Sequence, residues 1–199
     1  PELLKTAVYG LPEVNREKLA DALVVGNPGC YPTTAILGLK PIIDAQNTQA
    51  QRLVESRIVI DAKSGVSGAG RQAKLALNYA ETTDNFKAYS VEGHRHLPEI
   101  EQGVTQLLES QFSHRIRFLP HLVPMIRGMF STLYVRLNDA GQVLSNEQLQ
   151  ALFEAQYANE PFVVVMPWCA QTETRSARGS TMLRIALQRH GDLPIILVD

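Results

Sequence analysis

The segment at residues 26–34, with the sequence GNPGCYPTT, constrains the fold more than any other part of the chain. A short apolar run at residues 22–25 precedes it and predicts a strand. Apolar residues then recur at helical spacing over residues 36–43. Asn-Pro-Gly is a tight-turn signal, and Pro32 suits the first position of a helix. The pattern therefore predicts that Cys30 lies where a strand turns sharply into a helix.

This position has consequences for the Cys30 thiol. A helix N-terminus carries a partial positive charge and unpaired N–H groups, so we expect the pKa of the thiol to lie below its usual value of about 8.5. The same N–H groups would stabilise an oxyanion after attack of the sulfur on a carbonyl. A buried, unreactive cysteine is the alternative interpretation.

A second segment, residues 64–71 (SGVSGAGR), follows a predicted strand at residues 58–60. Its glycines allow backbone N–H groups to approach an anion closely, and its arginine offers a fork for phosphate or carboxylate. No Gly-Lys-Ser/Thr follows, so the segment is not a P-loop. The candidate substrate-binding residues are Ser64, Gly65, Ser67 and Arg71, and an ordinary flexible loop is the alternative.

His94 and His96 flank Arg95 where a helix is predicted to begin. Residues two apart on an extended chain point to opposite sides, so we expect one histidine to face the site and the other to support it. A helix N-terminus disfavours imidazolium and favours a neutral histidine base. No third ligand lies at a suitable spacing for a metal. Arg127, in a loop rich in Pro and Gly, is a further candidate for carboxylate binding.

Composition sets wider limits on the class of protein. The chain has 199 residues, a formal net charge of −1, 45% hydrophobic residues and 20% charged residues, which is ordinary for one or two globular domains. The charge balance indicates neither nucleic acid nor an anionic membrane surface as a partner. The longest apolar run is too short to span a bilayer. Two cysteines and no targeting pattern favour a reducing, cytoplasmic location.

The order of predicted elements indicates an α+β fold with a mixed, largely antiparallel sheet. Strands and helices do not alternate cleanly, and several strands occur late in the chain. Good helix formers dominate residues 72–79, residues 44–52 read as a polar connection, and Ser145 with Gln148 predicts a capping box. No Gly-x-Gly-x-x-Gly follows a first strand, so the sequence predicts no dinucleotide-binding fold.

Cysteine and histidine together leave three functional hypotheses open. One is a thiol hydrolase or acyltransferase that uses a Cys–His pair. Another is an aldehyde dehydrogenase in which the cysteine forms a thioester before a hydride moves. The third is an interaction domain with an incidental cysteine. An anion-binding loop favours a phosphorylated substrate over a peptide.

Three motifs in this order resemble the N-acetyl-gamma-glutamyl-phosphate reductase family. They are GCYPT at residues 29–33, SGVSGAGR at 64–71 and HRHLPEI at 94–100, supported by YGLPE at 9–13 and Arg-Gly at 127–128. The resemblance implies NADPH-dependent reduction of N-acetylglutamyl phosphate to the semialdehyde, with release of phosphate, in arginine biosynthesis. It implies that Cys30 is the nucleophile and that His94, with His96 as the alternative, is its acid/base partner.

The resemblance also implies an architecture. The implied fold is like that of the C-terminal domain of glyceraldehyde-3-phosphate dehydrogenase, a mixed sheet with helices on one face. The resemblance also implies a homo-oligomer, a dimer or a tetramer, formed through the open face of the sheet. Family members begin with a Rossmann domain and end with a further helix, and this chain has neither. Residues 1–199 are therefore expected to be the catalytic and oligomerisation domain alone, with NADP bound mainly elsewhere and no turnover in isolation. A sibling reductase acting on an aminoadipyl phosphate and a Cys–His acyltransferase are the rival hypotheses.

Overall fold

The structure is a computed structural model that describes residues 2–109 and 113–199. Its strands are β1 (Val8–Tyr9), β2 (Val25–Gly26), β3 (Arg57–Ser64), β4 (Lys87–Ala88), β5 (Arg115–Leu122), β6 (Met129–Tyr134), β7 (Val163–Val165), β8 (Leu183–His190) and β9 (Leu193–Val198). Its helices are α1 (Glu2–Lys5), α2 (Pro12–Ala20), α3 (Cys30–Thr48), α4 (Tyr79–Thr82), α5 (His96–Leu107), α6 (Asp139–Gln142), α7 (Asn146–Tyr157) and α8 (Thr174–Ala177).

One mixed sheet carries seven of these strands, in the order β4-β5-β3-β6-β9-β8-β7. The pairs β3–β5 and β7–β8 are parallel, and the remaining neighbours are antiparallel. Strands β1 and β2 form a separate parallel pair. The predicted α+β class with a mixed, largely antiparallel sheet is therefore confirmed.

The helices cover one face of the sheet. Along β3, Ile58, Ile60 and Ala62 are buried, whereas the alternate residues Val59 and Asp61 are exposed or partly exposed. This alternation is expected of a sheet with one face against the core. Helix α3 packs on β6 and β9, α5 packs on β5, and α7 packs on β7. The predicted placement of the helices on one face is confirmed.

Helix α3 is longer at both ends than the sequence pattern predicted. It begins at Cys30 rather than Pro32. It also continues to Thr48, through the first part of the segment expected to be a polar connection. The reason is that this polar turn is buried: Gln46 is 0% exposed, and its side-chain oxygen accepts a hydrogen bond from the backbone N–H of Leu53. From the sequence alone, a buried glutamine with a hydrogen-bond partner cannot be distinguished from a glutamine on the surface.

Pro41 leaves one backbone carbonyl of α3 without a donor, and a side chain from a second helix supplies a hydrogen bond to it. Pro41 has no N–H, so the carbonyl of Leu37, four residues earlier, loses its intrahelical donor. The hydroxyl of Tyr157, at the end of α7, donates a hydrogen bond to that carbonyl. Both residues are buried, and the bond ties α7 to the middle of α3.

Other local predictions had mixed outcomes. The capping box at Ser145 is confirmed, with Gln148 as its partner. The strand before the cysteine turn is β2 rather than residues 22–25. The good helix formers at residues 72–79 do not form one continuous helix, because a 3₁₀ turn at Leu75–Leu77 and the start of the short α4 occupy this region. Leu75 is 76% exposed, so no packed apolar face supports a longer helix there.

Candidate active site

The turn that precedes Cys30 is built by β2 and α3. Strand β2 pairs with β1, the chain turns through residues 27–29, and α3 starts at Cys30 with Gly29 as its N-cap residue. Gly29 has an extended backbone, and its carbonyl accepts hydrogen bonds from the N–H and hydroxyl of Thr33. The expected strand–turn–helix geometry around the cysteine is confirmed.

Burial outweighs the helix N-terminus in setting the pKa of Cys30. The side chain reaches solvent, but it sits at the wall of a cavity, and loss of hydration raises the pKa of the thiol. The N–H groups of Tyr31 and Cys30 and the charge of Arg95 lower this pKa, while Glu99 raises it. The net direction is upward, so the expectation of a lowered pKa is wrong for this structure, because desolvation of the thiolate is the larger effect.

Both histidines lie in the same cavity as Cys30. Their ring centroids are 4.8 Å apart, and each ring lies 5.8 Å from that of Tyr31. The expectation that one would point away is wrong, because Arg95 between them has helical rather than extended backbone angles. The N–H of His96 donates to Nδ1 of His94 at 3.0 Å.

The environment keeps both imidazoles neutral at pH 7. Burial lowers the pKa of His94 to about 4, with smaller contributions from His96 and Arg95. Burial also lowers the pKa of His96, and Arg95 adds to this while Glu99 opposes it. Because Nδ1 of His94 accepts a backbone hydrogen bond, its neutral ring carries the proton on Nε2. His94 is thus a hydrogen-bond donor to the cavity.

One carboxylate joins three parts of the site. Oε1 of Glu99, in the first turn of α5, accepts hydrogen bonds from the hydroxyl of Tyr9 and from the N–H of Gly29, each at 2.8 Å. A Cβ atom at Gly29 would lie 2.8 Å from Nε2 of His96 and 3.0 Å from Oε2 of Glu99. The imidazole of His96 and this carboxylate therefore both lie close to the turn before Cys30, and a larger residue at position 29 would have to displace them.

The glycine-rich segment is bonded to the loop after β5. The N–H groups of Gly65 and Ser67 donate to the carbonyls of Gly128 and Ile126, and the N–H of Gly68 donates back to Gly65. These donors are therefore engaged within the protein and are not directed at the cavity. The hydroxyl of Ser64 donates to the carbonyl of Gly65 at 3.0 Å. The segment acts as a fixed wall in this structure.

The cavity that contains the cysteine has a volume of about 700 Å³. It brings together Cys30, Ser64 and the pair His94 and His96 from three separate parts of the sequence. Ser67 lines a neighbouring cavity of about 560 Å³. Gly65 packs against residues 125–126.

Two predicted arginines lie elsewhere, and several cavity residues were missed. Arg71 and Arg127 are exposed and are not among the residues that line the cysteine cavity. The sequence pattern indicated no role for Lys74, Tyr89 or Arg95, which line this cavity. The position of Arg95 between two histidines was the available signal, whereas nothing in the pattern distinguished the other two.

Within residues 2–109 and 113–199, no group of three or more His, Cys, Asp or Glu side chains is placed to hold a metal ion. Across the same described residues, no helix is both long enough and apolar enough to cross a membrane.

Comparison with known proteins gives consistent results. Residues 30–198 match the family model for the semialdehyde dehydrogenase dimerisation domain. The chain is 70% identical to the N-acetyl-gamma-glutamyl-phosphate reductase of Psychrobacter arcticus, over 100% of the chain and 56% of that protein. It is 55% identical to the enzyme of the same name from Acinetobacter baumannii strain SDF, over 95% of the chain and 53% of that protein. The chain thus spans little more than half the length of these curated relatives.

Solved structures share the fold. The chain resembles aspartate semialdehyde dehydrogenase II from Vibrio cholerae with a TM-score of 0.69 and 17% identity, over 98% of the chain and 62% of that protein. Aspartate semialdehyde dehydrogenase with NADP from Candida albicans matches with a TM-score of 0.67 and 11% identity, over the same shares. At these identities the likeness describes the fold alone.

Proposed function

Because the chain belongs to the semialdehyde dehydrogenase dimerisation-domain family, we propose that it is the catalytic and oligomerisation part of an NADPH-dependent acyl-phosphate reductase. The substrate is N-acetyl-L-glutamyl 5-phosphate, and the products are N-acetyl-L-glutamate 5-semialdehyde and phosphate, in arginine biosynthesis. The observation that carries the proposal is the meeting of Cys30, His94 and His96 in one cavity, in a chain 70% identical to a reductase of that name.

The first chemical step uses only residues of this chain. The sulfur of Cys30 attacks the acyl carbon, the bond from that carbon to the phosphate oxygen breaks, and phosphate leaves as the thioester forms. The resting pair is a thiol with a neutral imidazole, so the thiol proton must pass to a base during attack. His96 lines the same cavity as Cys30, and burial lowers its pKa, so it is a neutral imidazole and suits this role.

His94 suits the complementary role. Its Nε2–H is available to the cavity, because its Nδ1 accepts the N–H of His96. A donor at this position would stabilise negative charge on the acyl oxygen as the sulfur adds. We therefore assign both histidines to proton handling, with His96 as the base for the thiol and His94 as the donor.

The proposed activity needs a hydride, which NADPH would supply when bound, so that the thioester is reduced to the aldehyde and Cys30 is released as the thiolate. The 199 residues contain no Gly-x-Gly-x-x-Gly segment after a strand and do not fit a dinucleotide site. We propose that NADPH supplies the hydride from a site outside these residues, and we assign no residue of this chain to it.

Acyl transfer to Cys30 in the absence of NADPH tests the function. The intact enzyme that contains this chain is mixed with N-acetylglutamyl phosphate, and the protein mass is measured. We expect an N-acetylglutamyl adduct that maps to the Cys30 peptide in the wild type and in the matched control Cys169→Ala, and none in Cys30→Ala. An adduct that persists in Cys30→Ala would refute the assignment. Faster acylation by the aminoadipyl analogue would indicate the sibling reductase instead.

The family's name and the open sheet face support a second part of the proposal. The face opposite α3 carries Val59, 37% exposed, and the partly exposed Leu197. We propose that a second copy of the protein packs on this face to form a dimer, alone or within a tetramer.

A further inference from the structure

The cysteine cavity has an excess of positive charge. Lys74 and Arg95 line it, and no Asp or Glu is among its lining residues. Both side chains belong to exposed residues. Within residues 2–109 and 113–199, no carboxylate lies within ion-pair distance of either one. A concave site with two unpaired cations attracts an anionic ligand.

Arg95 is the cation associated with the reacting groups. It directly precedes His96, the first residue of α5. Its charge acts on the pKa values of Cys30, Tyr89, His94 and His96, lowering each one. Arg95 lines the same cavity as these four groups, so its guanidinium shares the space that a substrate carbonyl must enter to reach the sulfur.

Lys74 occupies a different part of the cavity. It precedes the 3₁₀ turn at Leu75–Leu77 and also lines the neighbouring cavity with Ser67. Lys74 therefore stands where the two cavities adjoin.

We propose that Arg95 binds the phosphate group of the acyl phosphate and that Lys74 binds the carboxylate at the other end of the same substrate. This inference rests on the proposed function. The phosphate is joined through one oxygen to the carbon that Cys30 attacks, so it must lie beside the sulfur. The carboxylate is separated from that carbon by the length of the acyl chain.

The chemistry of the two side chains agrees with this division. A guanidinium offers a planar fork of N–H donors that matches phosphate oxygens, whereas a lysine ammonium is a flexible point charge. As the bond from carbon to oxygen breaks, negative charge grows on the departing phosphate, and a fixed cation there favours the transition state. The electron pair leaves with the phosphate oxygen, and the proton of Cys30 goes to the histidine base.

A comparison of two alkylating agents tests the Arg95 site without turnover. Iodoacetate carries a carboxylate, and iodoacetamide is its neutral counterpart. Their rates at Cys30 are measured by peptide mass, which separates Cys30 from Cys169. We expect the ratio of the iodoacetate rate to the iodoacetamide rate to fall about fivefold in Arg95→Gln, as for loss of one partly hydrated cation. It should fall less in Arg95→Lys.

Arg57→Gln is the matched control, because Arg57 is exposed at the opposite end of β3 from Ser64. Its ratio should equal that of the wild type. Inorganic phosphate should protect Cys30 from iodoacetate in the wild type and not in Arg95→Gln. An unchanged ratio in Arg95→Gln, or equal protection by phosphate in both proteins, would overturn the assignment.

The reverse reaction of the intact enzyme separates the two cations. We expect Arg95→Gln to raise the KM for phosphate at least tenfold while the KM for the aldehyde changes little. Lys74→Gln should raise the KM for the aldehyde and leave that for phosphate near the wild-type value. The opposite pattern would exchange the two roles and contradict the proposal.

Failure of the proposed function gives a different result. The intact enzyme could lack reductase activity while phosphate still protects Cys30 in the wild type and not in Arg95→Gln. This result would refute the proposed function and support the anion site at Arg95. Turnover that is unaffected by Arg95→Gln would retain the reductase and refute the anion site.

Discussion

At Glu99, a single carboxylate oxygen accepts hydrogen bonds from the backbone of the turn before Cys30 and from the hydroxyl of Tyr9, which lies 90 residues away in sequence. The other oxygen and the imidazole of His96 both lie close to Gly29. Glu99 therefore positions Gly29 and also acts electrostatically on its neighbours. It raises the pKa of Cys30 and favours the charged form of His96, in opposition to Arg95.

Substitution of Glu99 should make the thiol more acidic. In Glu99→Gln, the loss of negative charge lowers the pKa of Cys30, so the midpoint of the alkylation rate against pH should move to lower pH. Arg95→Gln should move the midpoint to higher pH. Both are measured with iodoacetamide, which is neutral, and the Cys30 peptide is followed by mass.

Glu101→Gln is the control for this pair, because Glu101 is an exposed residue of the same helix. Its midpoint should match the wild type. Tyr9→Phe removes one hydrogen bond and leaves the charge, so it should shift the midpoint much less than Glu99→Gln. Equal shifts in these two variants would mean that Glu99 acts through structure alone.

At the scale of elements, the contact between α3 and α7 depends on a proline. Tyr157→Phe leaves the buried carbonyl of Leu37 without a donor, which should cost about 1–3 kcal/mol of unfolding free energy. In the Pro41→Ala background, residue 41 regains an N–H that can bond to this carbonyl. Urea unfolding of the two single variants and the double variant should therefore show a clearly smaller cost of Tyr157→Phe in that background. An equal loss of unfolding free energy in both backgrounds would show that Pro41 is not the reason why the Leu37 carbonyl needs the tyrosine hydroxyl.

Turn residues, capping residues and the order of apolar runs predicted several features of the fold. The turn before Cys30, the capping box at Ser145 and the largely antiparallel sheet were all predicted. The full extent of α3 was not, because Gln46 is buried by packing that no window of sequence reveals. The reverse holds at residues 72–79. These residues are good helix formers, but they do not form one helix because they have no apolar face packed against the core.

The candidate site was predictable in its chemistry more than in its geometry. Cysteine, histidines and the serine loop were identified by residue type, and the structure brings Cys30, Ser64, His94 and His96 together. The direction of the Cys30 pKa shift was not predicted correctly. A motif indicates that the cysteine lies at a helix N-terminus, but it does not indicate how much of the thiol's hydration the cavity removes. Lys74 was missed because its position depends on the path of an irregular segment.

At the scale of the whole molecule, the open sheet face should control assembly. Val59→Glu places a carboxylate on that face, where Arg117 of the neighbouring strand lies in register with it, so the fold of the monomer should tolerate it. Burial of this charge in a subunit interface should weaken self-association by at least tenfold.

Sedimentation velocity over a dilution series of the intact protein measures this effect. Val143→Glu is the control, because Val143 is 79% exposed and lies outside the sheet; it should assemble as the wild type does. An unchanged assembly of Val59→Glu would place the interface on another surface.

The position of β9 has a consequence for biosynthesis. This strand leaves the ribosome after β1 to β8, yet it lies between β6 and β8 and is the hydrogen-bonded link between them. Until it emerges, the nascent chain carries two incomplete pieces of sheet, each with an unpaired edge. Such edges template association with other chains. A translation product that stops at residue 192 should therefore be a target for chaperones and proteases, although it already carries every residue of the cysteine cavity.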